Sequence, residues 1–457
     1  MAAGRNPGRD MQSPADGRQW YAGRFEAFEK SLNGDGSSGF RELRRAAIQR
    51  FSELGFPTTR DEEWRHTDLS DLARSRFSVD GKTPDAGPEV PDILPLIEPE
   101  FADSRIVLVN GGFSRKLSSV RGLPPGVTVG TLVSAMAADP ETLRRHFARY
   151  ARYDDDALTA LNTAFMRDGV FISVADGVVL DHPIELLFLS VNGEVPIEAH
   201  PRCLILAGRN ARVSVIERYT SFGDGGPSFT NAVTEIALGE NSFVGHDRVQ
   251  SESDEAYHIA ALRVHQARDS VFVSNNISFG ALLTRNTIGA VLDGEGAECT
   301  LNGLYLGTGH QLVDNHTTID HARPHCPSHE LYKGILAERS RGVFNGRIKV
   351  RRDAQKTDAK QTNKNLVLSD DASIDTKPEL EIFANDVRCT HGATVGQLDP
   401  EAMFYLRSRG IGNRESRAML IHAFAADVVE RVSWEPLKER LRGMIGERLN
   451  VANGVKQ

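Results

Sequence analysis

Residues 208–213 read GRNARV, residues 239–244 GENSFV, residues 267–272 ARDSVF and residues 294–299 GEGAEC, and ADGVVL at 175–180 has the same form. Each is a small or turn-prone residue, two mostly polar or turn residues, a small residue or Val, any residue, then an apolar one. The starts, at 175, 208, 239, 267 and 294, are nearly evenly spaced. A looser set continues from Gly307 (GTGHQL), Glu338 (ERSRGV) and Ser369 (SDDASI). Short runs rich in Val, Ile and Leu fill the intervals from about 165 to 395, without an amphipathic helical pattern. A strand–turn unit repeated at a near-constant period needs its neighbours to cover its apolar side, which is the mark of a solenoid. With no helix in the unit, a β-helix is expected rather than a leucine-rich or ankyrin array. Propeller blades are longer, about 40–45 residues. A β-sandwich with coincident turn spacing is the competing reading.

Both flanks of this core read as helical. Trp20, Arg24, Phe25 and Phe28 share one face at three-to-four spacing, as do Phe40, Leu43, Ala47, Ile48 and Phe51. Gly55 and Pro57 stop the second pattern. Beyond the core, Asp399, Pro400 and Gly410 bracket a helix as N-cap, first residue and terminator. Two further helices follow, and short helices appended to a solenoid are expected to close its open end. The division is a disordered tail over 1–18, a helical region with a Pro-rich connector over 19–100, and a mixed segment over 101–164. The β-helix core occupies 165–398 and a C-terminal helical domain 399–457.

The chain has 457 residues, 40% hydrophobic and 25% charged, with a formal net charge of −8. That balance argues against a nucleic-acid surface, which needs concentrated positive charge. No window approaches a membrane span, and the first residues lack the apolar stretch of a secretory signal. Cys203, Cys299, Cys326 and Cys389 are too scattered for a disulfide framework, so reduced thiols in the cytoplasm are expected.

Several activities are excluded by what is missing. The GKT at 81–83 has Arg76 where a phosphate-binding loop needs its first Gly, and there is no G-x-S-x-G, H-E-x-x-H or CxxC. An ATPase, if needed, must be a partner. A polysaccharide-active β-helix enzyme would need paired carboxylates in a groove, and DGEGAE (293–298) alone does not supply them. The chain is therefore read as a non-enzyme.

Two clusters could hold a metal. DNHTTIDHARPHCPSHELYKG gathers His316, His321, His325, Cys326 and His329, with Pro324 and Pro327 expected to hold the segment in a loop. Imidazole and thiolate are the usual ligands of zinc and iron, which makes His325 and Cys326 the weaker candidates. Local structural histidines are the alternative. In EIFANDVRCTHGATVGQL, Cys389 and His391 stand at i and i+2, on one side of an extended strand. Arg388 should favour the thiolate. The polar neighbours Asn385, Asp386, Arg388 and Thr390 suggest an exposed edge with the pair facing outward. Two ligands facing outward make half a metal site, and the other half could come from another chain.

At these residues the chain resembles the SufB/SufD family of iron–sulfur cluster assembly proteins. The likeness is carried by RRDAQKTDAKQTNKNLVLSDDASIDTKPELEIFANDVRCTHGATVGQLDPEAMFYLRSRGI, by DEEWRHTDL (61–69), DGVFISVADGVVLDHPIELLF (168–188) and DNHTTIDHARPHCPSHELYKGIL (314–336). VRCTHGATVGQLD has the SufD-like form. The resemblance implies a mainly β fold, with a right-handed parallel β-helix core flanked by N-terminal and C-terminal helical domains. It implies pairing with a SufB-like paralogue through β-helix edges and docking of a SufC-like ABC ATPase on the C-terminal helices. Candidate docking residues are Tyr405, Leu406, Arg409 and Ile411. It further implies that Cys389 and His391 serve a nascent iron–sulfur cluster, or iron, shared with the SufB-like chain, as ligands or as a thiol relay. No cofactor is then held tightly by this chain alone, and the complex has room for a reduced flavin. The rival is a homo-oligomeric β-helix scaffold without a metal role, self-pairing through the same edge.

Overall fold

In the computed structural model the described residues are 15–32, 37–78, 90–93, 96–97, 99–191, 195–223 and 226–452. Two long, mostly parallel sheets, of 11 and 10 strands, face one another, with antiparallel pairs at the N-terminal end of each. From Arg202–Ala207 onward the chain alternates strictly between them, one strand to each sheet per coil. The period seen in the sequence is the circumference of this coil. Phe229 lies beside Tyr257, Tyr257 beside Leu283, Leu283 beside Leu312, Leu312 beside Arg341 and Arg341 beside Ser373. The fold is a parallel β-solenoid of about seven turns with helices at both ends of the chain.

The corners explain the repeated motif. The third residue of each copy adopts a left-handed backbone conformation: Gly177, Asn210, Asn241, Asp269 and Gly296. Gly, Asn and Asp tolerate this conformation best. These residues stack along one edge, Asn210 donating its amide to the Glu240 carbonyl at 2.9 Å, and Asn241 to that of Arg268 at 2.9 Å. The looser set does not continue this edge. Gly309 and Glu338 form the opposite corner, where the chain returns from the second sheet to the first. The first corner continues instead through His325 and Lys356, both left-handed, as RPHCPS (323–328) and AQKTDA (354–359). Its last copy is ANDVRC, residues 384–389.

The sixth residue of every copy points inward and builds one interior column: Val213, Val244, Phe272, Cys299, Ser328, Ala359 and Cys389. Side chains two residues further along each strand build others. Large and small residues alternate to fill them. The ring of Tyr332 lies over Gly303, where an added Cβ would stand 2.2 Å from Cε1, and Tyr305 lies over Gly334 in the same way. Polar residues also enter the interior: Glu217, fully buried, accepts from Thr234 at 2.7 Å and Arg248 at 3.1 Å.

The N-terminal helices Ala15–Ser31 and Arg41–Leu54 pack with Ala157–Phe165 through Tyr21, Phe25, Phe28, Phe51 and Phe165. The first helix begins inside the stretch expected to be a tail, and residues 1–14 lie outside the described residues. Gly55 ends the second helix at φ 69°, its amide on the Phe51 carbonyl at 2.7 Å, as its type and position predict.

The C-terminal helices Pro400–Ser408, Asn413–Val429 and Glu435–Ala452 do not close the solenoid's end. They lie along the outer face of one sheet, where Ile421, Val428, Leu437 and Leu441 cover Ile277, Leu304 and Ile335. Lys333 fastens them from the sheet side, its ammonium 2.8 Å from the Phe424 carbonyl and 2.6 Å from Asp427. The sheet had an apolar outer stripe to bury, whereas the last coil has polar and exposed side chains. Among the described residues, the strands Ser373–Ile382 and Arg388–Gly396 each have a sheet neighbour on one side only.

Candidate functional site

The last coil is the open end of the molecule. Cys389 and His391 lie on Arg388–Gly396, in register with Ala359 and Gln361 of the preceding coil. Ala359 and Gln361 are buried interior residues, so Cys389 and His391 occupy interior positions of a coil that, among the described residues, has no coil above it. Cys389 is half-buried against Ala359, Ala384 and Ile348, and His391 is exposed. The pair thus faces inward, not outward as expected, because it continues the columns of Ala359 and Gln361, and it is reachable from the end of the stack.

The thiol differs from expectation. Burial pushes the Cys389 thiol above its ordinary range, the Asp358 carboxylate adds to the push, and a backbone hydrogen bond with Ala359 opposes it. Arg388, at an outward position of the strand, does not set its ionisation. A cation brought to the open end would have to displace the thiol proton.

The histidine-rich segment is not a loop. His316 and His321 lie on Leu312–His321, His329 on Pro327–Leu336, and only 322–326 turns the corner. His321 points inward, its Nε2 3.0 Å from the Ser328 hydroxyl. His325 is exposed at the tip with φ 59°, while Cys326 beside it is buried with its Sγ 3.3 Å from the Gly294 carbonyl. Burial pushes that thiol up to about 11. The corner therefore turns His325 and Cys326 apart. Among the described residues no group of three or more His, Cys, Asp or Glu side chains is arranged to hold a metal ion.

His316 belongs to a strap that sequence reasoning singled out only as a motif. DEEWRHTDL crosses the outside of the other sheet toward the open end. Trp64 stacks under the Arg285 guanidinium at 4.2 Å, and Thr67 donates to Asp314. Glu63 pairs with His316 at 3.2 Å and Arg347 at 3.1 Å. Glu62 reaches Lys377 at 3.2 Å and His66 reaches Asp375 at 3.3 Å, both on the last strand of that sheet. The strap thereby ties four successive strands together, including one half of the open coil.

A second exposed surface lies on Pro400–Ser408, which has no buried residue. Tyr405 is 57% exposed and Phe404 74%. Leu406 and Ile411 are half-buried, and Arg409 stacks over the Tyr405 ring at 5.1 Å. Phe404 was missed in the sequence, although two adjacent aromatics on a short helix cannot both face a core. On the open coil itself Phe383 and Val395 are likewise exposed. A recess of about 930 Å³ among the N-terminal helices, lined by Phe40, Leu43, Met136 and Arg144, holds none of the predicted site residues.

Comparison with known proteins decides the family. The SufBD core domain of the SUF iron–sulfur cluster assembly system matches residues 189–424, and the SufBD N-terminal region matches residues 15–186. The chain belongs to the SufBD family. It is 35% identical over 412 residues to an iron–sulfur cluster assembly SufBD family protein of Synechocystis, covering 89% of this chain and 90% of that one. It is 32% identical over 406 residues to the iron–sulfur cluster assembly protein SufD of Escherichia coli, covering 88% and 91%. For SufD of Bacillus subtilis the figures are 25% over 418 residues, covering 90% and 94%. A role in iron–sulfur cluster assembly follows from SufBD membership. No described helix is long and apolar enough to cross a membrane.

Proposed function

We propose that this chain is the SufD-like, non-catalytic half of a cytoplasmic scaffold on which iron–sulfur clusters are built. Its open coil pairs edge to edge with a SufB-like paralogue, and Cys389 and His391 offer two ligands, or a thiol relay, to a nascent cluster that the partner completes. The single observation that carries this reading is the position of the pair, on the inward face of a coil with no described coil stacked above it. A cluster that must be released is better held between two chains than caged by four thiolates of one. Imidazole, a weaker donor than thiolate, eases that release. Phe404 and Tyr405, exposed on Pro400–Ser408 beside Arg409, are the contacts offered to a SufC-like ATPase.

The test is His391→Ala in the co-expressed complex, isolated without oxygen. Cluster recovery should be lost while the complex stays intact. A normal cluster yield from that variant refutes the ligand assignment. The exposed Phe383 and Val395 on the same coil also suit self-pairing without a metal. If the isolated chain dimerises through this edge and a SufB-like chain neither displaces its copy nor brings iron, the scaffold reading replaces the first.

A further inference from the structure

His391 ends an interior column whose two preceding members are polar. Glu330, Gln361 and His391 are consecutive in register, on Pro327–Leu336, Asp358–Val367 and Arg388–Gly396. Glu330 and Gln361 are buried, 3% and 2% exposed. The Gln361 amide nitrogen donates to Glu330 Oε2 at 2.7 Å. With Glu330 ionised, that bond fixes which way the amide faces, because a carboxylate can only accept. The other end of the amide, the Gln361 carbonyl oxygen, is buried and has no partner. The amide is also confined from the opposite sheet. It fills the space left by the missing side chain of Gly346, where a Cβ would stand 2.3 Å from Gln361 Nε2.

No hydrogen bond joins Gln361 to His391 in the structure, so a buried acceptor and an imidazole with an N–H to give stand one coil apart, both with capacity left. A buried acceptor left unpaired is destabilising, so a donor within reach is favoured. We infer that Gln361, oriented by Glu330 and Gly346, is a positioning residue for His391: its carbonyl takes the imidazole N–H and leaves the other ring nitrogen as a lone-pair donor at the open end. This rests on the reading of His391 as a ligand and adds what holds it. Ligating histidines almost always give their second N–H to such an acceptor, and removing the acceptor weakens metal binding roughly 10–100-fold.

Glu330 orients the amide in its ionised form. Burial pushes its carboxyl up to about 7, opposed by the hydrogen bond with Gln361, so the orientation is secured on the alkaline side of that value. The titratable groups that feel it, Cys299 and Tyr332, are themselves kept neutral by burial.

The experiment is histidine-selective ¹⁵N NMR of the whole chain at alkaline pH, with His391→Ala identifying the signal. The wild type should hold His391 in one tautomer. Gln361→Leu, similar in size but unable to accept, should release it to the mixture of a free imidazole, and Gln361→Glu combined with Glu330→Gln, which keeps a donor facing an acceptor between the two positions, should keep one tautomer and raise the titration midpoint. In the complex, iron retained after isolation should fall at least tenfold in Gln361→Leu and recover in the Glu330→Gln/Gln361→Glu double variant. An unchanged tautomer and midpoint in a folded Gln361→Leu protein overturns the inference. If instead His391→Ala retains iron normally, the ligand reading fails, and the tautomer of His391 still decides whether Gln361 positions it.

Discussion

Lys333 donates to the carbonyl of Phe424, joining a strand in the solenoid wall to the helix that covers it. Its ammonium also lies 4.4 Å from the Phe424 ring centre and holds the Asp427 carboxyl below its ordinary range. Lys333→Met should remove a charge-assisted contact of roughly 1.5–3 kcal/mol. Amide exchange should accelerate in Asn413–Val429 and leave the solenoid strands unaffected. Uniform acceleration throughout the chain, or none, contradicts this local role. Because the Asp427 carboxyl is depressed, its share of the contact is present above the ordinary carboxylate range and is lost as pH falls through the depressed value.

Docking of an ATPase is better tested by single residues than by truncation. Removing the C-terminal helices would uncover Ile277, Leu304 and Ile335 and change the fold along with the surface. Phe404→Asp and Tyr405→Ala leave every buried contact in place, since neither side chain is buried. Co-purification with a SufC-like ATPase should drop at least tenfold, with the melting temperature within about a degree of wild type. Retained binding in the double variant places the docking surface elsewhere.

The strap should be sensitive to pH. Burial disfavours the His316 cation, but Asp314 at 3.0 Å and Glu63 at 3.2 Å outweigh it, with Arg285 opposing, so its pKa is raised. Glu63 is lowered to about 2, chiefly by its hydrogen bond with His316. A raised imidazole contributes fully below its ordinary value and loses that contribution as pH rises through the raised one. Exchange in Ser373–Ile382 should therefore quicken on the alkaline side, and Glu63→Gln should flatten the dependence. The effect is about 1 kcal/mol or less, since Glu63 is half exposed. An equally steep profile in Glu63→Gln would dissociate the strap from this titration.

Gly303→Ala should be disproportionately costly. The new methyl would meet the Tyr332 ring, which is itself packed on Phe344 with ring centres 5.1 Å apart. Overpacking of this kind costs typically 1–3 kcal/mol. In urea unfolding, the Gly303→Ala/Tyr332→Leu double variant should lose less than the sum of the single losses. Strict additivity would show that the two sites do not share the space.

The period of the corners was legible because a left-handed backbone restricts the residue type so strongly. Asn210, Asn241 and Asp269 mark it plainly. The same corner was lost at His325 and Lys356, residue types less diagnostic of a turn than Gly, Asn or Asp, which adopt the left-handed conformation here with their amides bonded to the next coil. ANDVRC could have been aligned with GEGAEC, which would have placed Cys389 in the column of Cys299 and so on the inward face. The i and i+2 spacing established that Cys389 and His391 share a side, but not which side. The weight of Arg388 was misjudged for that reason. Gln361 and Glu330 could not be found from spacing alone, because their relation to His391 crosses coils of unequal length.

The strap, the corner stack and the helices along the wall brace the solenoid from its flanks; the strap reaches Ser373–Ile382 of the final layer, but no described element is stacked on Arg388–Gly396. Heat or denaturant should then strip strands from that terminus first, with Arg388–Gly396 fraying while the opposite end still holds. The residues with the most demanding chemistry sit on the segment that acquires lasting order last. Geometry good enough for ligation would accordingly arise on assembly, when another surface takes the place of the absent next layer.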